Sequence, residues 1–277
     1  MLRLQIEPDV SLAYEEKGSG PLFVLNHGLG GNMQGLSAHL DFWAPHFRAV
    51  AYDQRGCGAS DRPQRDDAYS FDQYGHDLAA LIRGLGASEA VVYGVSWGGY
   101  AALKFAVLYP RMVRALILDS TSSEVNQQAA ANWYNRGKVV LEQGHDALQG
   151  LAQAPAFPGN ASAVARPRQR LTAEQQAQRA DARAYFAQAA AIASTYEQPL
   201  TPFLKGFQAP TLILAGGQDN TAGAGGSVKL SRVLPNARLH ILQEAGHGVM
   251  GQRPDEVRPL MLDWLREVGA LKSKVTA

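Results

Sequence analysis

The feature that most constrains this chain is a repeated unit, a short and unbroken apolar run that ends in glycine and polar residues. Leu22-Phe23-Val24-Leu25 runs into Asn26-His27-Gly28-Leu29-Gly30-Gly31, and Arg48 to Tyr52 runs into Asp53-Gln54-Arg55-Gly56-Cys57-Gly58. Ala90-Val91-Val92-Tyr93 leads into Gly94-Val95-Ser96-Trp97-Gly98-Gly99, and Val113 to Leu118 ends at Asp119. Near the C-terminus, Thr211 to Ala215 ends in Gly216-Gly217-Gln218-Asp219, and Ala237 to Leu242 leads to Glu244-Ala245-Gly246-His247-Gly248. Apolar runs this short, without alternation, are strands covered on both faces.

Helical periodicity fills the intervals. Tyr74, Leu78, Leu81, Ile82 and Leu85 share one face of a 3.6-residue repeat. A helix is expected from about Gly98 to Tyr109, stopped by Pro110, another over Val228 to Leu234, and a closing one over Pro254 to Val268. Leu2 to Glu7 and Leu12 to Lys17 alternate as half-buried antiparallel strands do. Strand and helix in alternation make a mostly parallel sheet with helices on both faces. Such sheets gather their chemistry beyond the carboxyl ends of the strands. His27, Asp53, Ser96, Asp119, Asp219 and His247 all fall there.

Residues 121–205 break the alternation. This segment has 20 Ala and 11 Gln among 85 residues and no clear strand. Gln127 to Leu141 and Thr172 to Tyr196 read as helices by propensity, divided by Pro155, Pro158 and Pro167. Trp133, Tyr134, Phe157, Tyr185, Phe186 and Tyr196 favour an ordered insertion over a disordered linker. The expected organisation is a core made of residues 1–120 and 206–277, interrupted by a helical cap over 121–205.

Charge narrows the partners. Twenty-six Lys+Arg against 25 Asp+Glu leave a net +1, no footprint for nucleic acid or an anionic membrane surface. The single cysteine, Cys57, excludes an internal disulfide and a multi-cysteine zinc site. His39, His46, His76, His145 and His240 show no metal-ligand spacing, so no metal is expected. Glu7 and Pro8 interrupt the region where a signal peptide needs an apolar run. No stretch approaches the ~18 apolar residues of a membrane span. A cytoplasmic protein acting on a small molecule is the expectation, with homo-oligomerisation left open.

The chemistry concentrates at Gly94-Val95-Ser96-Trp97-Gly98, a G-x-S-x-G pattern between a strand and a helix. There a sharp turn lifts the serine hydroxyl above the sheet, and the glycines let backbone approach closely. The following helix aims free N–H groups and a positive partial charge at the hydroxyl. A serine hydroxyl needs a base, and His247 between glycines is the candidate. Asp219 is the candidate acid that would orient the imidazole, with Asp119 as its rival. Two N–H groups would hold a developing oxyanion: that of Trp97 and, by position, that of Leu29.

On these residues the chain resembles the α/β-hydrolase superfamily. The matching motifs are His27-Gly28, Asp53-Gln54-Arg55-Gly56-Cys57-Gly58-Ala59-Ser60, Gly94 to Gly99, Gly216 to Asp219 and Gly246-His247, in the family's order. Within it, the chain looks most like the small esterases, enol-lactonases and meta-cleavage-product hydrolases. The resemblance implies eight strands with the second antiparallel, a helical cap after strand six, and no cofactor. It implies a catalytic Ser96, Asp219 and His247 acting on a small, apolar or weakly polar ester or lactone. Carbon–carbon hydrolysis and cofactor-free perhydrolase or dioxygenase chemistry are enzymatic alternatives; a hydrolase-like receptor is the non-enzymatic one. Epoxide hydrolases and haloalkane dehalogenases use an aspartate nucleophile, against which Ser96 argues.

The remaining candidates have blander readings. Asp53 and Arg55 are expected to fix loops, His27 to orient the loop carrying Leu29, and Cys57 to be inert. Trp133, Tyr134, Phe157 and Val249 are candidate pocket residues. Arg166, Arg168 and Arg170 suit a solvated face, and would favour acidic substrates only if they pointed inward.

Overall fold

The structure, a computed structural model, describes residues 1–149 and 179–271. Among these, eight strands form one sheet: β1 (Leu2–Glu7), β2 (Val10–Lys17), β3 (Leu22–Asn26), β4 (Arg48–Tyr52), β5 (Ala90–Val95), β6 (Val113–Asp119), β7 (Thr211–Gly216) and β8 (Ala237–Leu242). Their order is β1-β2-β4-β3-β5-β6-β7-β8. β2 pairs antiparallel with both of its neighbours, and every pair from β4 to β8 is parallel.

Alternation along the central strands explains both layers. Val24, Val50, Val92, Leu116 and Ile213 point to one face. There they meet α1 (Phe71–Gly84), α2 (Trp97–Leu108) and α5 (Gly223–Val233) through Leu78, Ile82, Leu103, Phe105 and Leu230. Phe23, Leu25, Ala51, Tyr93, Ile117 and Leu214 point to the other face. Trp43, Phe47 and α6 (Pro254–Glu267) cover it, the helix contributing Val257, Met261 and Leu265. Removing this much apolar surface from water, at roughly 25 cal/mol per Å², drives the folding.

Among the described residues, two long helices lie in the segment expected to form the cap. α3 (Gln127–Gln143) is N-capped by Asn126, whose side chain accepts from Ala129 N–H, and α4 (Ala182–Ser194) by Asp181, which accepts from Arg183 N–H. They pack together at Gly137, where an added Cβ would lie 2.9 Å from Ala189 Cβ. The Thr172–Tyr196 expectation therefore meets α4 over its latter half, and its first residues lie outside the described region. α5 begins at Gly223, before the expected Val228. One of the glycines that hid this turn from propensity is needed for packing: a Cβ at Gly226 would sit 2.5 Å from Ser122 Cβ.

The parallel register lines up the carboxyl ends. Asn26 pairs with Tyr52 and Gly94, Val95 with Asp119, Asp119 with Leu214, and Gly216 with Leu242. The polar residues that follow each strand thus share one edge.

Candidate active site

At the end of β5 the backbone turns through Ser96, with φ 55° and ψ −120°. Among the described residues only Ser120 joins it as a non-glycine at positive φ. Such a conformation costs about 1–3 kcal/mol and persists where surroundings over-determine it. Here they do. Ser96 N–H donates to Asp119 O (2.8 Å), and Ser96 O accepts from Thr121 Oγ1 (2.9 Å) and Gly99 N–H (2.9 Å). A Cβ on Gly94 would lie 2.3 Å from Gly98 O, and one on Gly98 2.3 Å from Asn26 O. Both glycines are steric requirements of a turn pressed onto the end of β3. Ser96 is left half-buried at the N-terminus of α2.

Trp97 opens α2, and its N–H has no carbonyl acceptor among the described residues; nor does that of Leu29. The loop carrying Leu29 passes alongside the serine, since a Cβ on Gly28 would lie 3.6 Å from Ser96 Cβ. His27 braces that loop. Its Nδ1 donates to Gly28 O (2.9 Å) while Nε2 accepts from Gln54 N–H (3.1 Å). Burial lowers its pKa, against the opposing charge of Asp53 and the bond to Gly28.

The His247 ring follows β8. Its Nδ1 donates to Asp219 Oδ2 at 2.9 Å. Asp219 Oδ1 accepts from the N–H groups of Thr221 (2.7 Å) and Ala222 (3.0 Å). Burial alone raises the Asp219 carboxyl's pKa, but the bonds from His247, Ala222 and Thr221 outweigh it and hold the group below its ordinary range. Fixing the proton on Nδ1 leaves Nε2 as the lone-pair nitrogen. The Asp219 side chain is 1% exposed and that of His247 28%, so the carboxylate is shielded and the imidazole is reachable. The two loops approach each other, since a Cβ on Gly248 would lie 3.6 Å from Val95 Cγ2. No hydrogen bond joins the Ser96 hydroxyl to the imidazole; such bonds are often long before substrate binds.

Asp119 occupies a different position. Fully buried, it accepts from Tyr93 OH (2.7 Å), Ser120 Oγ (2.9 Å), Val249 N–H (3.0 Å) and Met250 N–H (3.0 Å). Ser120, strained at φ 53°, accepts from Gly248 N–H at 2.9 Å. Three consecutive N–H groups after His247 are thereby clamped to the end of β6.

The other sequence candidates separate cleanly. Asp53 accepts from Met33 N–H (2.6 Å) and Ala59 N–H (2.8 Å). Arg55 is fully buried and forks onto Asp77 at 2.6 Å through Nε and a terminal nitrogen, and also reaches Glu7 (2.8 Å) and Ala68 O (2.9 Å). Burial opposes its charge, and Asp77 and Glu7 more than restore it, raising the pKa. Burial pushes the Cys57 thiol up to about 12, so it stays protonated at neutral pH. Trp133 joins Trp97, Tyr100, Leu29, Val125 and Ile192 in one apolar cluster. Tyr134 lies apart, 48% exposed, with its ring edge-on to Phe186. Val249 is buried in the core beneath the sheet. Phe157, Arg166, Arg168 and Arg170 lie outside the described residues. No group of three His, Cys, Asp or Glu that could hold a metal occurs among the described residues.

Sequence reasoning missed Gln54, Ser120 and Gln188. Gln54 sat inside a quoted motif, between two residues with stronger signals. Ser120 carried no signal beyond following Asp119, and Gln188 is one of many glutamines.

Sheet topology and the strained serine turn together define a hydrolase of the α/β-hydrolase fold. The model of that family matches residues 21–254, and the chain belongs to it. It is 28% identical over 254 residues to a 2-(acetamidomethylene)succinate hydrolase of Mesorhizobium japonicum, covering 89% of this chain and 88% of that one. It is 27% identical over 242 residues to 3-oxoadipate enol-lactonase 2 of Acinetobacter baylyi, covering 86% and 87%. A crystal structure of a hydrolase from Pseudomonas aeruginosa superposes with TM-score 0.78 at 26% identity, covering 95% of this chain and 97% of that one. No helix among the described residues is long and apolar enough to cross a membrane.

Proposed function

We propose that this protein is a serine hydrolase that cleaves a small ester or lactone through an acyl-enzyme on Ser96. The observation that carries the reading is the His247–Asp219 pair, 2.9 Å apart, followed by Gly248, which lies against Val95, the residue before a serine held at φ 55° on a helix N-terminus. In this reading His247 Nε2 takes the hydroxyl proton as Ser96 Oγ attacks the carbonyl carbon. Asp219 stabilises the imidazolium and keeps its orientation. The Leu29 and Trp97 N–H groups receive the oxyanion, in a site pre-arranged before charge develops. His247 then protonates the leaving alkoxide. Water, deprotonated by the same nitrogen, releases the acid and restores the serine.

The apolar cluster of Leu29, Val125, Trp133 and Ile192 supports an uncharged acyl group. α3 and α4 belong to the cap in this reading, and the enzyme works in the cytoplasm without a cofactor. The similarity to an enol-lactonase supports the lactone branch. A relative named for an acetamidomethylene substrate makes an N-acyl compound the natural comparison. The test is hydrolysis of short p-nitrophenyl esters and a small lactone panel by wild type and Ser96→Ala. The reading expects kcat to fall by at least about four orders of magnitude in the variant. Near-wild-type turnover by Ser96→Ala would overturn it.

A further inference from the structure

One carboxamide ties both sides of the oxyanion site to a helix remote in sequence. Gln188 lies on α4 and is fully buried. Its Oε1 accepts the Gly30 N–H at 3.0 Å, one residue beyond Leu29. Its Nε2 donates to Gln54 Oε1 at 3.3 Å, and lies 3.4 Å from Cys57 Sγ. The same Gln54 oxygen accepts the indole N–H of Trp97 at 2.6 Å. Gln54 Nε2 donates in turn to Asn26 Oδ1 (2.5 Å) and His27 O (2.9 Å), while Asn26 Nδ2 donates to Gly98 O (3.0 Å). Gly30, the neighbour of Leu29, and the Trp97 indole are thus linked through one hydrogen-bonded chain, Gly30 to Gln188 to Gln54 to Trp97.

We infer that Gln188 is a positioning residue. It sets the spacing of the Leu29 and Trp97 N–H groups from the helix α4 side, so that docking of that helix and assembly of the oxyanion site are one event. Three features carry this. A buried carboxamide must find partners, and Gln188 spends its acceptor on the oxyanion loop itself. Gly30 sits at φ 63°, and an added Cβ would lie 2.6 Å from Tyr185 Cδ2, so α4 also presses on that loop through the ring one turn earlier. Gln54 Oε1 carries two donors, one from each side, so a shift of either is felt by the other.

The inference rests on the acyl-enzyme reading, and its test separates the two. Wild type, Gln188→Met and Trp97→Phe are compared for kcat and KM on a p-nitrophenyl ester. Their affinity for a phenylboronic acid, which mimics the tetrahedral oxyanion on serine, is measured alongside thermal melting. The expected result is a kcat lower by about 10- to 100-fold in each variant, the scale of a misplaced catalytic group. KM should stay within about twofold, and boronate affinity should fall in parallel with kcat. The double variant should be no slower than the slower single one, because both break the same relay. Trp97→Phe reads the other end of the relay if Gln188→Met does not fold. A raised KM with kcat unchanged, or kcat losses that multiply in the double variant, would overturn the relay and leave Gln188 as packing. A wild type that neither binds boronate nor reacts with a fluorophosphonate removes the underlying reading, and the inference with it.

Discussion

Two aspartates illustrate how neighbours assign a role to the same side chain. Asp219 faces the imidazole and Asp119 faces backbone N–H groups. Asp219→Asn should cost kcat about 10⁴-fold, by presenting the wrong partner to His247 Nδ1, with little change in melting temperature. Asp119→Asn should instead cost stability by about 1–3 kcal/mol, since the amide nitrogen that replaces one carboxylate oxygen cannot accept, and either the Val249 or the Met250 N–H loses its partner. Melting curves and kcat on the two variants check the pair; the reverse pattern would exchange their roles. The serine and histidine were legible in the sequence because glycines mark the turns that hold them. The sequence favours Asp219 over Asp119 although both end an apolar run, and the ring is hydrogen-bonded to Asp219 while Asp119 holds backbone N–H groups. Gln188 was less legible still. Its face is shared with Tyr185 and Ile192 at helical spacing, but alanine surrounds it and the segment gave no register.

At the scale of elements, the site is a set of loops held by strand ends. A methyl group at Gly98 would drive the β5–α2 turn into Asn26 O. Gly98→Ala should therefore cost about 3 kcal/mol or more, near the upper end for single substitutions, read by chemical denaturation. The His27 brace gives a pH signature. Burial depresses the His27 pKa, so the folded protein binds this proton less readily than the unfolded chain. Its contribution is complete above the unfolded value of about 6.5 and is lost as pH falls from there towards the folded value. His27→Gln removes the titration. The difference in melting temperature between wild type and His27→Gln should shrink as pH drops from about 7.5 to 5; a constant difference contradicts the assignment. Strand positions were readable because burial on both faces forces continuous apolar runs. The start of α5 was not, because its glycines lower helix propensity, and Gly226 serves contact with Ser122.

For the whole molecule, Arg55 joins the loop after β4 to α1 through Asp77 and to β1 through Glu7. Breaking a buried pair leaves an uncompensated charge, so Arg55→Met should destabilise by about 3–5 kcal/mol. The folded fraction should keep kcat within a few-fold, measured below the melting transition. A large kcat loss in stable protein would instead place Arg55 in the chemistry. The alternation of strand and helix made the sheet legible. The strand order, with β3 between β4 and β5, came from pairing that no local pattern encodes. The central claim is that the fold delivers Ser96 as a covalent nucleophile, and rapid-quench mass spectrometry on a slowly deacylated p-nitrophenyl ester tests it most directly. The account predicts one acyl group per chain, mapped to the peptide holding Ser96 and absent from Ser96→Ala. Acyl transfer to any other residue, or turnover with no acylated intermediate alongside incorporation of solvent oxygen into a carboxylate side chain, would contradict it.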